Sequence, residues 1–221
     1  MPTDVSSLRR TRRRWTLLAP LYECRVRLFL RWRGPAVDAL HLRPGDTILD
    51  LACGTGLNFS HVMKRSGAEG RIVGVDCTRA MLERAGRKAT RHGWTGVRLI
   101  EGDAAHLPLA SASCDAVLCS YAMAIIPDYR GALDEAARVL RPGGRLVLLE
   151  PKVGSTLWGL TATPLVAFAG WFSGVDLWRR PWEELPRLLA DVSFREYAGG
   201  IVYIASGSKR ETDPHAEGRT P

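Results

Sequence analysis

Paired cysteines are missing from this chain. Its five cysteines (Cys24, Cys53, Cys77, Cys114 and Cys119) are odd in number and scattered, with no CxxC. That excludes a disulfide framework and a zinc ribbon, and it fits a reducing compartment. No secretory leader is visible, because the arginines of LRRTRRRW precede only a short apolar stretch broken at Pro20. An arginine-rich, acid-poor start also fits an organellar transit peptide. A clean membrane span is lacking too. Crossing a bilayer takes roughly 20 apolar residues. The one uncharged run of that length, 153–175, is interrupted by Pro164 and by glycines 154, 159, 170 and 174. Internal repeats and low-complexity tracts are absent.

Acidic residues are scarce at one end only. Residues 1–33 hold nine arginines against Asp4 and Glu23, a net +7 out of the chain's +8, so the remainder is near neutral. A basic arm of this kind meets nucleic acid, an anionic membrane or simply solvent. What the chain does have, 46% hydrophobic and 24% charged residues over 221 positions, suits one globular domain with a real core.

Residues 1–14 read as a disordered basic arm, followed by an amphipathic helical cap over 15–40. Within the cap, Glu23, Arg27 and Arg31 fall four apart on a polar face, and Leu21, Cys24, Leu28 and Trp32 on an apolar one. Gly34-Pro35 is expected to end that helix. From 41 to 150 short apolar runs alternate with amphipathic stretches. Strands are predicted at 47–51, 71–76, 97–101, 116–120 and 145–150, with helices over 78–92 and 129–140 and a helix-stop turn at RPGG, 141–144. Strands alternating with helices imply βαβ units and a parallel sheet covered on both faces. An aromatic-rich insertion occupies 151–190. A terminal hairpin turning at Gly199-Gly200 spans 191–207, and a disordered tail follows at 208–221.

The chemistry is concentrated in DLACGTGLNFSHV, residues 50–62. In an open α/β sheet ligands bind beyond the carboxyl ends of the strands, and here Gly54 and Gly56 let the backbone approach a ligand closely. A dinucleotide fingerprint needs a third glycine, but Phe59 stands in that place. Asp50, just ahead of the turn, would repel a pyrophosphate and welcome an ammonium or sulfonium group. Asp76, 20 residues past Gly56, ends the second predicted strand, where a carboxylate accepts ribose hydroxyls. Asp103 follows the third, within reach of an adenine amino group. The three carboxylates suit the amino acid, ribose and base of S-adenosylmethionine (SAM).

ILDLACGTG, GVD, EGDAAHLPL and VLRPGGRLVLLE, in this order and spacing, resemble class I SAM-dependent methyltransferases. The nearest group is the ubiquinone/menaquinone methyltransferase-like and phospholipid-amine N-methyltransferase-like enzymes. The resemblance covers about 45–150 tightly and the terminal hairpin loosely. It implies an α/β, Rossmann-like, mostly parallel seven-stranded sheet with helices on both faces and the last strand antiparallel. Carried over by position, Asp50, Ala52, Gly54 and Gly56 would surround the methionine part. Asp76, Cys77 and Met81 would flank ribose and adenine, Asp103 and Ala104 would meet the base, and Cys119, Ser120 and Tyr121 would face the sulfur.

Methyl transfer is an in-line displacement that needs proximity and an unprotonated nucleophile. Tyr121 and Tyr22 are the candidates for contacting it, while His106 reads as a loop residue and His41, His61, His92 and His215 have no partner pattern. No metal is assigned. CSYAM lacks the NPPY stretch of enzymes that methylate exocyclic amines of nucleic acids, so nucleic acid is disfavoured as a partner. Four of the seven tryptophans (158, 171, 178 and 182) fall in the insertion. They are expected to roof an apolar pocket for a small, lipophilic or amine-bearing substrate, to pack on one another, or to dip into an interface. With the basic arm, peripheral contact with an anionic membrane is an expectation for an otherwise cytoplasmic protein. The alternatives are a non-methylating, cyclase-type SAM enzyme and a non-catalytic SAM- or RNA-binding protein.

Overall fold

The computed structural model describes residues 5–19, 27–171 and 174–211. Its helices are α1 (Val5–Leu18), α2 (Arg33–Asp38), α3 (Phe59–Ser66), α4 (Arg79–Arg91), α5 (Tyr129–Val139) and α6 (Leu157–Trp171), with short helical turns besides. Its strands are β1 (Thr47–Leu51), β2 (Arg71–Asp76), β3 (Val97–Glu101), β4 (Cys114–Ser120), β5 (Leu140–Pro151), β6 (Ala190–Tyr197) and β7 (Val202–Ser208). They form one sheet in the order β3-β2-β1-β4-β5-β7-β6. β1 to β5 are parallel, and β7 runs antiparallel to both its neighbours. The reversal follows from connectivity: little more than the turn at 198–200 separates β6 from β7, and a link that short can join only antiparallel strands.

Alternation along β1 distributes the core between the two faces. Leu49 and Leu51 pack with Ala132, Leu133 and Ala136 of α5. Ile48 packs on the other face with Ala36 and Val37 of α2, Phe59 and Val62 of α3, and Leu82 and Ala85 of α4. Each of the larger side chains is buried, a contribution of roughly 1.5–3 kcal/mol apiece. The same alternation turns Asp50 and Ser120 toward the α2–α3 side and Cys119 toward the α5 side.

Four local expectations change. Residues 5–14, read as a disordered arm, are helical and belong to α1. Arginine is a good helix former, and Leu8, Thr11 and Trp15 share one helix face that lies on the domain. Residues 20–26 of the expected cap lie outside the described residues, and Arg27–Trp32 is a 3-10 helix running into α2. Gly34-Pro35 does not end that helix. Pro35 sits in the first turn of α2, where a missing N–H leaves no intrahelical bond unmade. Finally, β5 begins at Leu140. Its RPGG forms a bulge, so that Leu140 pairs with Cys114 and Arg145 with Ala116. Most of the expected tail, residues 212–221, lies outside the described residues.

Candidate cofactor and substrate cleft

At the carboxyl ends of β1 to β4 lies a cleft open to solvent, where ligands bind in an open α/β sheet. Ala52, Gly54, Asp76, Cys77, Met81, Asp103, Ala104, Ser120 and Tyr121 all line it. The turn after β1 forms its rim. Gly54 and Gly56 have φ of 55° and 72°, and a Cβ on Gly56 would come within 2.6 Å of the Phe59 ring. Phe59 therefore occupies the space beneath the turn that a third glycine would leave to backbone packing.

Asp76 ties this rim to the next strand. Its Oδ2 accepts from Gly54 N at 2.9 Å and its Oδ1 from Thr78 N at 2.8 Å. Burial pushes its pKa up, and the two amides oppose that rise. The Thr78 side chain also hydrogen-bonds this carboxylate, which still leaves acceptor capacity for a ligand hydroxyl. Asp103 accepts from Ala105 N at 3.1 Å and stands 3.3 Å from His106 Nδ1. His106 is an exposed loop residue, in keeping with its place in the sequence.

Asp50 lies behind the rim rather than on it and is 1% exposed. Its Oδ1 accepts from Asn58 Nδ2 at 2.8 Å. Asn58 also donates to Ser120 Oγ at 2.9 Å, and Arg33 Nη1 donates to Asn58 Oδ1 at 2.7 Å and Ser120 Oγ at 2.8 Å. Burial pushes the Asp50 carboxyl up to about 7, against the pull of Asn58 and the Arg33 charge. Asp50 Oδ2, Arg33 Nε and Thr55 Oγ1 are buried with no hydrogen-bond partner among the described residues. Buried groups of this kind are costly unless something satisfies them. An α-amino acid end carries both the ammonium that suits a carboxylate and the carboxylate that suits a guanidinium. On this ground the residues fit S-adenosylmethionine.

Sequence reasoning misses Arg33 and Asn58. Arg33 is one of nine arginines in a basic stretch, and nothing local distinguishes it. Asn58 sits within the glycine motif but eight residues from Asp50, a relation only the folded turn reveals.

Three expected site residues behave differently. Cys119 faces away from the cleft, because strand alternation turns it to the α5 side. There its Sγ lies 3.8 Å from Glu150 Oε1 and its thiol is pushed well up by burial. Tyr121 reaches the cleft at φ 58°, but its hydroxyl donates to Phe29 O at 3.0 Å and the Arg33 guanidinium lies 5.3 Å from its ring. Tyr22 lies outside the described residues. The loop after β4 is held from below by Glu150, which accepts from Ala122 N at 2.7 Å and Met123 N at 2.9 Å. Burial raises its carboxyl to about 7.

The roof also differs. The expected wall from 151–190 does not line the cleft among the described residues. Leu8, Thr11 and Trp15 of α1 do, opposite Ile125, Ile126 and Pro127. Arg12 fastens α1 there, with Nε 2.7 Å from Cys77 O and Nη2 3.3 Å from Glu101 Oε1. Of the insertion's tryptophans, Trp182 packs on Phe194 and Tyr203, while Trp158 and Trp178 are 63% and 69% exposed. The Trp171 side chain lies outside the described ones.

Comparison with known proteins gives a consistent picture. A family model described as "Methyltransferase domain" matches residues 49–148. A demethylmenaquinone methyltransferase of Staphylococcus aureus (strain JH9) is 38% identical over 201 residues, covering 81% of this chain and 83% of that protein. The corresponding protein of Staphylococcus haemolyticus (strain JCSC1435) is 38% identical over 119 residues, 54% of this chain and 49% of its own length. Against several such relatives, then, the chain spans only about half their length. In fold, the chain resembles geranyl diphosphate C-methyltransferase from Streptomyces coelicolor A3(2), solved with Mg2+, geranyl diphosphate and S-adenosyl-L-homocysteine. That likeness has a TM-score of 0.65 at 18% identity, covering 83% of this chain and 80% of that one.

Proposed function

The chain belongs to the SAM-dependent methyltransferase family, and from that premise we propose that it methylates a small, lipophilic acceptor. The observation that carries the proposal is the row of carboxylates at or just past the ends of three adjacent strands, with Asp76 and Asp103 lining one cleft and Asp50 buried behind its rim. When bound, SAM supplies a methyl group activated by its sulfonium. Asp76 would hold the ribose, Asp103 and Ala104 the adenine edge, and Cys77 and Met81 the flanks of the base. The Asp50–Asn58–Arg33–Ser120 network would orient the amino-acid end. Gly54 and Gly56 would let the turn close against it.

On the acceptor side the chain's contribution is positioning and exclusion of water. Trp15 and Leu8 from α1 and Ile125, Ile126 and Pro127 from the loop after β4 present apolar surface, which favours an acceptor with little charge. Tyr121, whose hydroxyl is engaged by Phe29, serves this reading as a wall of the cleft and not as a base. The names of the Staphylococcus relatives make a demethylmenaquinol the first acceptor to offer. An acceptor of that kind resides in lipid, so the reading includes peripheral contact with an anionic membrane.

The test is a radiometric assay with labelled SAM and a short-chain demethylmenaquinol, scored for label in the organic phase and for S-adenosylhomocysteine. Release of S-adenosylhomocysteine with a methylated lipophilic product supports the proposal. SAM binding without turnover on any quinol or amine-bearing lipid would overturn the acceptor class.

A further inference from the structure

The insertion helix α6 is apolar all round, and its two sides differ in side-chain size. At about 100° per residue, Gly159, Ala162, Thr163, Val166 and Ala167 fall on one side. Leu157, Trp158, Leu160, Thr161, Pro164, Leu165 and Phe168 fill a continuous arc of roughly 160° on the other. The small side faces the protein. Gly159 approaches so closely that a Cβ there would come within 2.0 Å of Gly199 O, and Ala162 and Val166 pack against the core. The large side faces outward. Leu157, Trp158, Leu160, Leu165 and Phe168 are 82%, 63%, 51%, 73% and 64% exposed, and the arc carries no charge. Scattered exposed leucines need no explanation, but a contiguous apolar face of this size marks a contact surface.

Its neighbour identifies the occupant. The inner side of α1 covers the cleft. Its outer side, read on the same helical period, carries Arg9, Arg10, Arg13 and Arg14 around Leu17, all exposed. The two surfaces meet where the Arg14 guanidinium lies against Gly174, just past α6. A band of arginines beside tryptophan, leucine and phenylalanine complements anionic headgroups over an acyl layer. It does not suit a second copy of this chain, which would bring two arginine-rich helices to the same rim. Nor does α6 cross a bilayer. Its 15 residues span about 22 Å against a core of about 30 Å, and no described helix is long and apolar enough to do so.

We propose that the outer face of α6, together with the outer arginines of α1, docks this protein on an anionic lipid bilayer. This deepens and rests on the reading of a lipophilic acceptor, because it sets the cleft beneath α1 at the surface where such an acceptor resides.

The test is flotation of the full chain with vesicles of phosphatidylcholine, with and without phosphatidylglycerol. The parent should float with the anionic vesicles, and less so as salt rises. W158S/L165S/F168S, all on the outer arc, should lower vesicle partition on the order of a hundredfold while leaving the melting temperature and calorimetric SAM affinity unchanged. Should the triple variant not fold, W158S alone, expected to cost roughly tenfold, decides. Equal flotation of parent and folded variant overturns the proposal. So does a parent that ignores vesicles but is dimeric by light scattering where the variant is monomeric. SAM affinity, measured without lipid, reports separately on the cleft, so a failure of the enzymatic reading is distinguishable from a failure of docking.

Discussion

Asp50→Asn sets stability against function at one buried atom pair. The carboxyl is 1% exposed and its pKa rises from 3.8 to about 7 on folding, chiefly through burial. A raised acid works against the fold. Below the unfolded pKa both states are protonated and there is no penalty. The penalty grows as pH climbs from about 4 to 7 and is complete above the folded pKa. Roughly three units correspond to about 4 kcal/mol at pH 8. Asparagine removes the charge and keeps an acceptor for Asn58 Nδ2, but it turns the unpartnered Oδ2 into an unpartnered amide donor, at a cost of about 1–3 kcal/mol. The net gain is about 2 kcal/mol at pH 8, equivalent to about 4–8 °C in Tm for a domain of this size, and it approaches zero near pH 5. SAM binding should move the other way, weakened about a hundredfold or more by the loss of a buried charge partner. Thermal melts of the ligand-free protein at pH 5 and pH 8 and calorimetry with SAM test both halves. An Asp50→Asn variant that is less stable than the parent at pH 8, or that binds SAM normally, would refute the reasoning.

Asp76→Ala removes the acceptor of the Gly54 and Thr78 amides and of the ribose hydroxyls, and should weaken SAM binding about tenfold or more; unchanged affinity by calorimetry would sink the assignment. Gly56→Ala places a Cβ 2.6 Å from the Phe59 ring at a φ of 72°, so a loss of about 2–3 kcal/mol in urea unfolding is expected. Adding Phe59→Leu should recover part of it, and no recovery would show that φ alone sets the cost. Arg12→Gln loosens α1 from Cys77 O and Glu101. Because this contact is half-exposed, S-adenosylhomocysteine release measured by stopped flow should quicken only about threefold, and an unaltered rate would mean that α1 does not govern exit.

β1, β2 and β3 can be placed to the residue from sequence because each is a short apolar run with a carboxylate at or near its end, and period and punctuation are local properties. Asp76 and Asp103 are legible for the same reason, since a strand end in a parallel sheet is a ligand edge wherever its neighbours lie. The helix over 5–14 is not legible: a run of arginines lowers mean hydropathy, and the apolar spacing of Leu8 and Trp15 gains meaning only when a cleft lies beneath it. Cys119 and Ser120 are adjacent, and nothing in the sequence separates them. The pleat sends one into the α5 core and the other into the Arg33–Asn58 network, a choice fixed by which face of β4 each helix covers. Arg33 joins that network across 25 residues to Asn58 and 87 to Ser120, because α2 packs on the same side of the sheet as Asp50. By itself, then, the sequence determined the strands and the acids that end them, since these depend on local period and residue type. Tertiary structure decided which buried groups meet, what covers the cleft and which apolar face stays outside, since these depend on packing between segments far apart in the chain.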